Sequence, residues 1–569
     1  MQVKHYDALA RVPAPRDAHL RRVRSTRTAS DPSVPPACRR RNFPVPATLF
    51  RPTLACTPFA DVGVRHSKRV ARATPTWRTT VKTFFSSEDR SRTIDASRVV
   101  HDASHHARNG LYLGHDAHGW HYADGQHSVL VLGPPRSGKT SSLLIPNVLS
   151  ASGAVVTTST KPDVLDATLA TRSTGGTCHL FDPSGSVSDR PGVHRLRWSP
   201  LPACTSWRTA LTTARSLVVV GSTGPGAVQA EASHWTERAQ ALLAPLLHAA
   251  ALEGADMRTV LTWVDRRQAL PAQQALVAGG DAAIARDLLD GIVTTDEREL
   301  SGIWSTASGA LGAFRSEQAL AATCDPEFDP AAFVASGDTV YIAAPAHHQA
   351  LVAPLVVGLL DDVRRATYDR AADGRARSGP PVLLALDELD NIAPLPELPS
   401  MVSEGGGQGL VTLACFQDLS QARHRWPGQA DGFPSLFGTT VVLPGIGDVR
   451  TLEALSVLSG DHEVVVRSVS RGRAPSDRPL ADLLGRGRVQ TGEQLGTQWR
   501  RRLAPDDITR GRPGHALAFG ARNQPAWFPL APAHAVEPWR SLRTPDRALD
   551  GPQVGSPERT RHGRDVLGR

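Results

Sequence analysis

The chain has 569 residues, 40% of them hydrophobic and 5% aromatic, with a formal net charge of +9. That is enough for two to four domains with sizeable cores, and no stretch reaches the ~18 uninterrupted apolar residues that a membrane-spanning helix needs; the best runs, Ala241–Leu252 and Leu351–Leu360, each contain a proline. The six cysteines stand far apart with no C-x-x-C pair, which excludes a disulfide framework or a zinc site and points to a reducing, cytoplasmic setting.

The charge is unevenly placed. Residues 1–100 carry 20 Lys and Arg against 7 Asp and Glu, the remainder 44 against 48. Residues 1–105, rich in Arg, Pro, Ser and Thr and without sustained periodicity, are expected to form a largely disordered basic arm able to meet DNA or anionic lipid through non-specific charge. No apolar segment of the signal-peptide kind follows the start. From Gly110 the composition changes: Leu111–Tyr122 reads as a hairpin around an Asp/Gly turn, and the histidines between His101 and His121 lack metal spacing and read as surface residues.

The apolar run Ser128–Leu132 then leads into Gly133-Pro134-Pro135-Arg136-Ser137-Gly138-Lys139-Thr140-Ser141. This fits G-x-x-x-x-G-K-[ST] in its strand-to-helix context. Backbone N–H groups of such a loop cradle a β-phosphate, the lysine reaches the β/γ oxygens and the Thr hydroxyl ligates Mg²⁺. Lysine usage supports the assignment, because the chain holds only five lysines among 64 basic residues, and only Lys139 and Lys161 lie beyond residue 100. A sequence that otherwise uses Arg keeps Lys where a compact ammonium is wanted.

Gly153–Thr158 reads as a buried parallel strand followed by Lys161 at a helix start, and Cys178–Asp182 as another. Strands alternating with helices predict a doubly wound, mostly parallel sheet. Between 204 and 325 helical spacing takes over, in Ser233–Leu252, Met257–Val277, Ala282–Leu289 and Glu297–Leu320, and predicts an inserted all-α subdomain. Strand signals resume at Thr339–Ala344, Pro381–Asp387, Gly409–Phe416, Thr439–Leu443 and His515–Phe519. The expected organisation is therefore an arm (1–105), a nucleotide-binding domain in two parts (106–203 and 326–535) around the insert (204–325), and a flexible tail (536–569). Residues 465–500, with two Arg-Gly-Arg repeats, read as a mobile excursion.

The strand ending in Asp387-Glu388 supplies what a Walker B element needs: Asp387 for the Mg²⁺ shell beside Thr140, Glu388 as the general base that polarises water. The Glu favours a hydrolysing ATPase. Gln417, at the end of the next strand, stands where RecA-like folds place a γ-phosphate sensor, and Lys161 is a second candidate to face nucleotide or DNA.

These residues resemble a family. The P-loop with its Ser-Ser-Leu-Leu-Ile-Pro-Asn147 continuation, Thr158–Asp163, Phe181-Asp-Pro183, Trp198-Ser-Pro-Leu201, His234-Trp235, Leu386–Pro396 and Gly409–Gln421 are similar, in order, to the type IV secretion coupling proteins, the TraG/TraD-like conjugation ATPases, and most to their actinobacterial branch. The resemblance runs from about 110 to 535. It implies a RecA-like P-loop motor with an all-α insert, using ATP and Mg²⁺ and assembling as a homo-hexamer on plasmid DNA. Such a ring would drive a relaxase-bound strand toward the type IV secretion channel, with the insert facing the relaxosome.

Three departures stand out. A basic arm replaces the membrane helices of many relatives, so peripheral contact at the inner membrane face is the expected route to the channel. The arginine that several relatives carry before the sensor strand is absent from Glu404–Gly409, leaving Arg423, Arg425 and Arg450 as substitutes. The family's Asp after the second strand is replaced in Thr158-Ser-Thr-Lys161. The alternative readings are an ATP-binding adaptor that recruits protein substrates with little hydrolysis, and a plasmid or chromosome DNA pump of the same superfamily.

Overall fold

Several runs in the chain, among them Val129–Leu132 (β3), Val155–Ser159 (β4), Val382–Leu386 (β8) and Leu410–Phe416 (β9), are buried at every residue. Strands of this kind must be covered on both faces, as in a parallel α/β sheet. The computed structural model describes residues 110–543, apart from 117–118, 222–228, 280–281, 375–378, 475–487 and 521–524. The basic arm and residues beyond 543 lie outside the described residues.

A hairpin, Tyr112–Asp116 (β1) with Gly119–Tyr122 (β2), precedes the sheet as expected. The remaining sheet strands are Cys178–Phe181 (β5), Val193–Arg195 (β6), Thr339–Ala343 (β7), Thr439–Val442 (β10), His515–Phe519 (β13) and Ala526–Pro529 (β14). Their order across the ten-stranded sheet is β14-β13-β10-β3-β9-β8-β4-β7-β5-β6. From β10 to β6 every pairing is parallel, and β13 and β14 add an antiparallel edge. Strands from before and after the helical stretch therefore interleave in one sheet. β6 and β14 are not among the predicted strands: β6 has three residues, two of them exposed, and β14 is bounded by Pro525 and Pro529, residues that ordinarily stand outside a sheet.

Alternate residues feed two cores. Leu130, Leu132, Val156, Leu384 and Leu386 point to one face; Val129, Val131, Val155, Leu383 and Ala385 point to the other. The second face is covered by the P-loop helix and by Asp163–Gly175. The first is covered by Gln349–Ala372 together with the helical stretch, whose main helices are Trp207–Gly221, Gln229–Leu252, Met257–Asp265, Leu270–Ala278, Ala283–Val293 and Glu297–Ala310. The segment Met257–Val277, expected as one helix, is two, because Arg267 takes φ +53° and turns the chain between them.

Several motifs that looked functional hold these layers together. Trp198 donates its indole N–H to Asp362 Oδ2 at 2.8 Å and lies against Gly358, where a Cβ would come within 2.4 Å of the ring. Asn147 Nδ2 donates to the carbonyl of Tyr112, whose N–H donates back to Asn147 Oδ1. Trp235 packs over Gly302, where a Cβ would meet the ring at 2.5 Å.

Three further expectations are corrected. The stretch read as a mobile excursion contains a two-stranded antiparallel ribbon, Asp461–Ala474 (β11) with Arg488–Arg501 (β12), paired along fourteen residues of each strand. Both its faces are largely exposed, and its most exposed apolar residues, Val465 at 65%, Leu495 at 72% and Trp499 at 70%, stand on one face among charged ones rather than in a sustained alternation. The expected tail is not loose at its start: Trp539 is fully buried, edge-on to Tyr112 and Trp120 at 5.1 and 5.9 Å. His121, read as a surface residue, stacks on Phe528 at 5.5 Å.

Candidate active site

The carboxyl ends of β3, β9, β8 and β4 stand side by side, the position at which open α/β sheets hold ligands. After Leu132 the chain turns through Gly133–Thr140. Here Gly133 is required by close approach, since a Cβ would lie 2.7 Å from Ser137 Oγ, and Gly138 by its φ of +98°. Arg136 also has a positive φ, +63°. The helix that follows opens with a wide turn, Thr140–Leu144, in which the N–H of Ile145 donates to the carbonyl of Thr140 five residues back. It continues as Ile145–Ser150. Pro146 has no N–H to give the first turn, which accounts for the widening.

Lys139 is 6% exposed, and its Nζ donates to the carbonyls of Gly133 at 2.5 Å and Pro134 at 3.1 Å. The Thr140 hydroxyl donates to Asp387 Oδ2 at 2.6 Å, joining the first motif to the end of β8. Burial pushes the Asp387 carboxyl upward, and the Thr140 hydrogen bond and the Lys139 ammonium pull it back. Glu388, the next residue, sits in the left-handed region at φ +48°, ψ +46°, a conformation costing roughly 1–3 kcal/mol in a non-glycine residue. Its N–H donates to Asp387 Oδ1 at 3.1 Å. Beside them the Thr158 hydroxyl donates to the Asp387 carbonyl at 2.8 Å, and Ser159 Oγ donates to Asp163 Oδ1 at 2.8 Å.

A cleft of about 510 Å³ opens over these groups, lined by Pro135 through Ser141, Lys161, Asp387 and Glu388. The structure thus brings the two separated motifs and Lys161 to one cavity; Gly133 and Pro134 do not line it and meet it only through the Lys139 ammonium that their carbonyls hold. Gln417 follows β9, between β3 and β8, with its N–H given to Gln421 Oε1 at 2.7 Å; it is not among the residues lining the cleft. Ser159, Thr160, Asp163, His534 and Arg543 also line the cleft; the sequence marks the first three only within the Thr158–Asp163 motif, without a role, and the last two not at all. The first three adjoin Lys161 and could have been suspected; the last two come from a segment with no motif.

Of the substitute arginines, Arg423 is held by Asp431 at 2.9 Å and Asp448 at 2.8 Å. Arg450 also pairs with Asp431. The charge of Arg425 acts on Asp390.

A parallel sheet with this loop at the end of a central strand and an acidic pair two strands away defines a RecA-like P-loop NTPase. The chain matches the family "Type IV secretory system Conjugative DNA transfer" over residues 78–482, and it belongs to that family. It is 26% identical over 440 residues to a conjugal transfer protein TraG of Escherichia coli, covering 70% of this chain and 65% of that one. A second TraG of Escherichia coli is 25% identical over 418 residues, 66% and 62%. The chain thus spans just under two thirds of these relatives. Among solved structures, the bacterial conjugative coupling protein TrwB is similar in its unbound form, with a TM-score of 0.52, 18% identity and coverage of 77% of this chain and 92% of that one. TrwB in complex with a non-hydrolysable ATP analogue gives 0.51, 18%, 72% and 86%.

Proposed function

We propose that the protein is an ATP-dependent DNA-translocating motor that couples a relaxosome to a type IV secretion channel in conjugation. The single observation that carries the reading is the junction of Thr140 and Asp387 over Lys139 at the sheet's carboxyl edge, in a chain of the conjugative DNA transfer family.

The residues fit ATP and Mg²⁺. The Thr140 hydroxyl and the Asp387 carboxylate converge as hard oxygen donors of the kind Mg²⁺ takes, and the glycine-shaped loop leaves its backbone open to phosphate. Bound ATP with Mg²⁺ supplies the transferable phosphoryl group and the divalent charge that neutralises it. Lys139 contributes a fixed ammonium for the β/γ oxygens, Lys161 a second cation at the cleft wall, and Glu388 accepts the proton of the attacking water. Gln417, one strand from both motifs, is the sensor in this reading. The finding that the TrwB structure is a complex with an ATP analogue supports the assignment.

In this reading DNA is the cargo, relaxosome proteins and channel components are the partners and a homo-hexamer is the working form; the family's description as conjugative DNA transfer supports the cargo and the channel. No helix among the described residues is long and apolar enough to cross a membrane; in this reading the protein is cytoplasmic and meets the membrane peripherally.

The test is steady-state ATP hydrolysis by the full chain with and without single- and double-stranded DNA. Turnover should rise with DNA and fall at least about a hundredfold in both Lys139→Ala and Glu388→Gln. Tight nucleotide binding without turnover under any DNA would replace the motor with the adaptor, for which the arginine-free Glu404–Gly409 stretch is the supporting observation.

A further inference from the structure

One wall of the cleft belongs to neither nucleotide motif. Ala533, His534 and Arg543 line it, and they arrive from the segment that leaves the sheet after β14. Two anchors place that segment. Trp539 is fully buried against Tyr112 and Trp120, and Leu542, itself buried, accepts at its carbonyl a hydrogen bond from the Thr171 hydroxyl of the helix Asp163–Gly175. The N–H of Arg543 donates to the Trp539 carbonyl at 3.0 Å. The residue that follows these anchors is thus held at the mouth of the cavity that contains Lys139, Thr140 and Lys161.

The charges around the cavity give that placement a meaning. Its lining includes Asp163, Asp387 and Glu388 against Arg136, Lys139, Lys161 and Arg543, and a triphosphate adds further negative charge. A guanidinium presents planar paired donors that match phosphate oxygens, which an ammonium does not. Ile145, Ala167, Ala533 and His534 also line the cavity, an apolar and aromatic lining of the kind that suits a base or ribose.

Resting on the nucleotide reading above, we propose that the segment 533–543 is a closing strap of the nucleotide site supplied by the same chain, with Arg543 as a phosphate-binding residue and His534 as a contact to the nucleoside end. The strap's position is set at a distance by Trp539.

The test uses the full chain and equilibrium binding of fluorescent ATP, ADP and AMP analogues. Arg543→Ala should weaken ATP binding roughly tenfold or more, as expected for a lost charge-assisted hydrogen bond, and AMP binding far less. Arg543→Lys should recover part of the loss. His534→Ala should lower affinity for all three nucleotides by a similar factor. Trp539→Phe, which keeps a ring in the anchor, should reproduce the Arg543→Ala pattern more weakly with a preserved circular dichroism spectrum. Unchanged ATP binding in Arg543→Ala, alongside its loss in Lys139→Ala, would overturn the strap and leave the nucleotide reading standing. Unchanged binding in Lys139→Ala as well would overturn the nucleotide reading itself.

Discussion

Asp390 lies two residues beyond the general-base candidate and is only 8% exposed. Burial first, and then the Glu388 charge, push its carboxyl up to about 6, against 3.8 for a free aspartate. The folded chain therefore keeps a proton there through a range in which the unfolded chain loses it. The stability this contributes is complete below pH ~4, declines as the pH rises toward 6 and is absent above. Asp390→Asn should follow the wild type at pH 4 and gain on it steadily between pH 4 and 6. Urea denaturation of both proteins at pH 4, 5, 6 and 7 checks this, and parallel curves across the window would refute it. The neighbouring left-handed Glu388 shows how closely this corner is constrained, since its strain persists only because the surrounding contacts fix the backbone.

Among the elements, the helix Asp163–Gly175 does the most to join parts of the molecule. Its Arg172, 6% exposed, donates from Nε to Thr339 Oγ1 at 2.7 Å and from its terminal nitrogens to the carbonyls of Ala151, Gly153 and Gly337. These carbonyls belong to the loops that enter β4 and β7, at the opposite end of the sheet from the cleft. Arg172→Ala should cost on the order of 3 kcal/mol or more, because buried carbonyls lose their donors. Arg172→Lys should rescue little, as an ammonium cannot span the same fork. Thermal unfolding of the two variants measures both. Elements of this kind mark where the sequence was legible. Strands buried on both faces, such as Val382–Leu386, declare themselves by composition, and the P-loop by its spacing. The ribbon Asp461–Arg501 did not, since apolar residues of its one face, Val465, Val469, Leu495 and Trp499, are exposed and interspersed with Glu463, Arg467 and Glu493. Nor did the approach of Arg543 to the cleft, which depends on where Trp539 is buried and leaves no local pattern.

At the scale of the whole molecule, the sheet interleaves strands from distant parts of the chain. β3 lies between β9 and β10, with Leu132 registered on Phe416 on one side and Val442 on the other. That order carries a consequence for biosynthesis. The strand bearing the first nucleotide motif emerges early from the ribosome, yet neither of its neighbours exists until the chain has been made past Phe416. Until then Val129–Leu132 exposes an apolar edge, and closing so long a loop is slow. Chains stopped before residue 410 should accumulate as aggregates and resist refolding, while chains carried through 543 should be recovered in solution. Sedimentation of expressed truncations distinguishes the two, and a soluble, nucleotide-binding fragment ending before 410 would contradict it. The strand made first among these three thus waits, unpaired, for partners made nearly three hundred residues later.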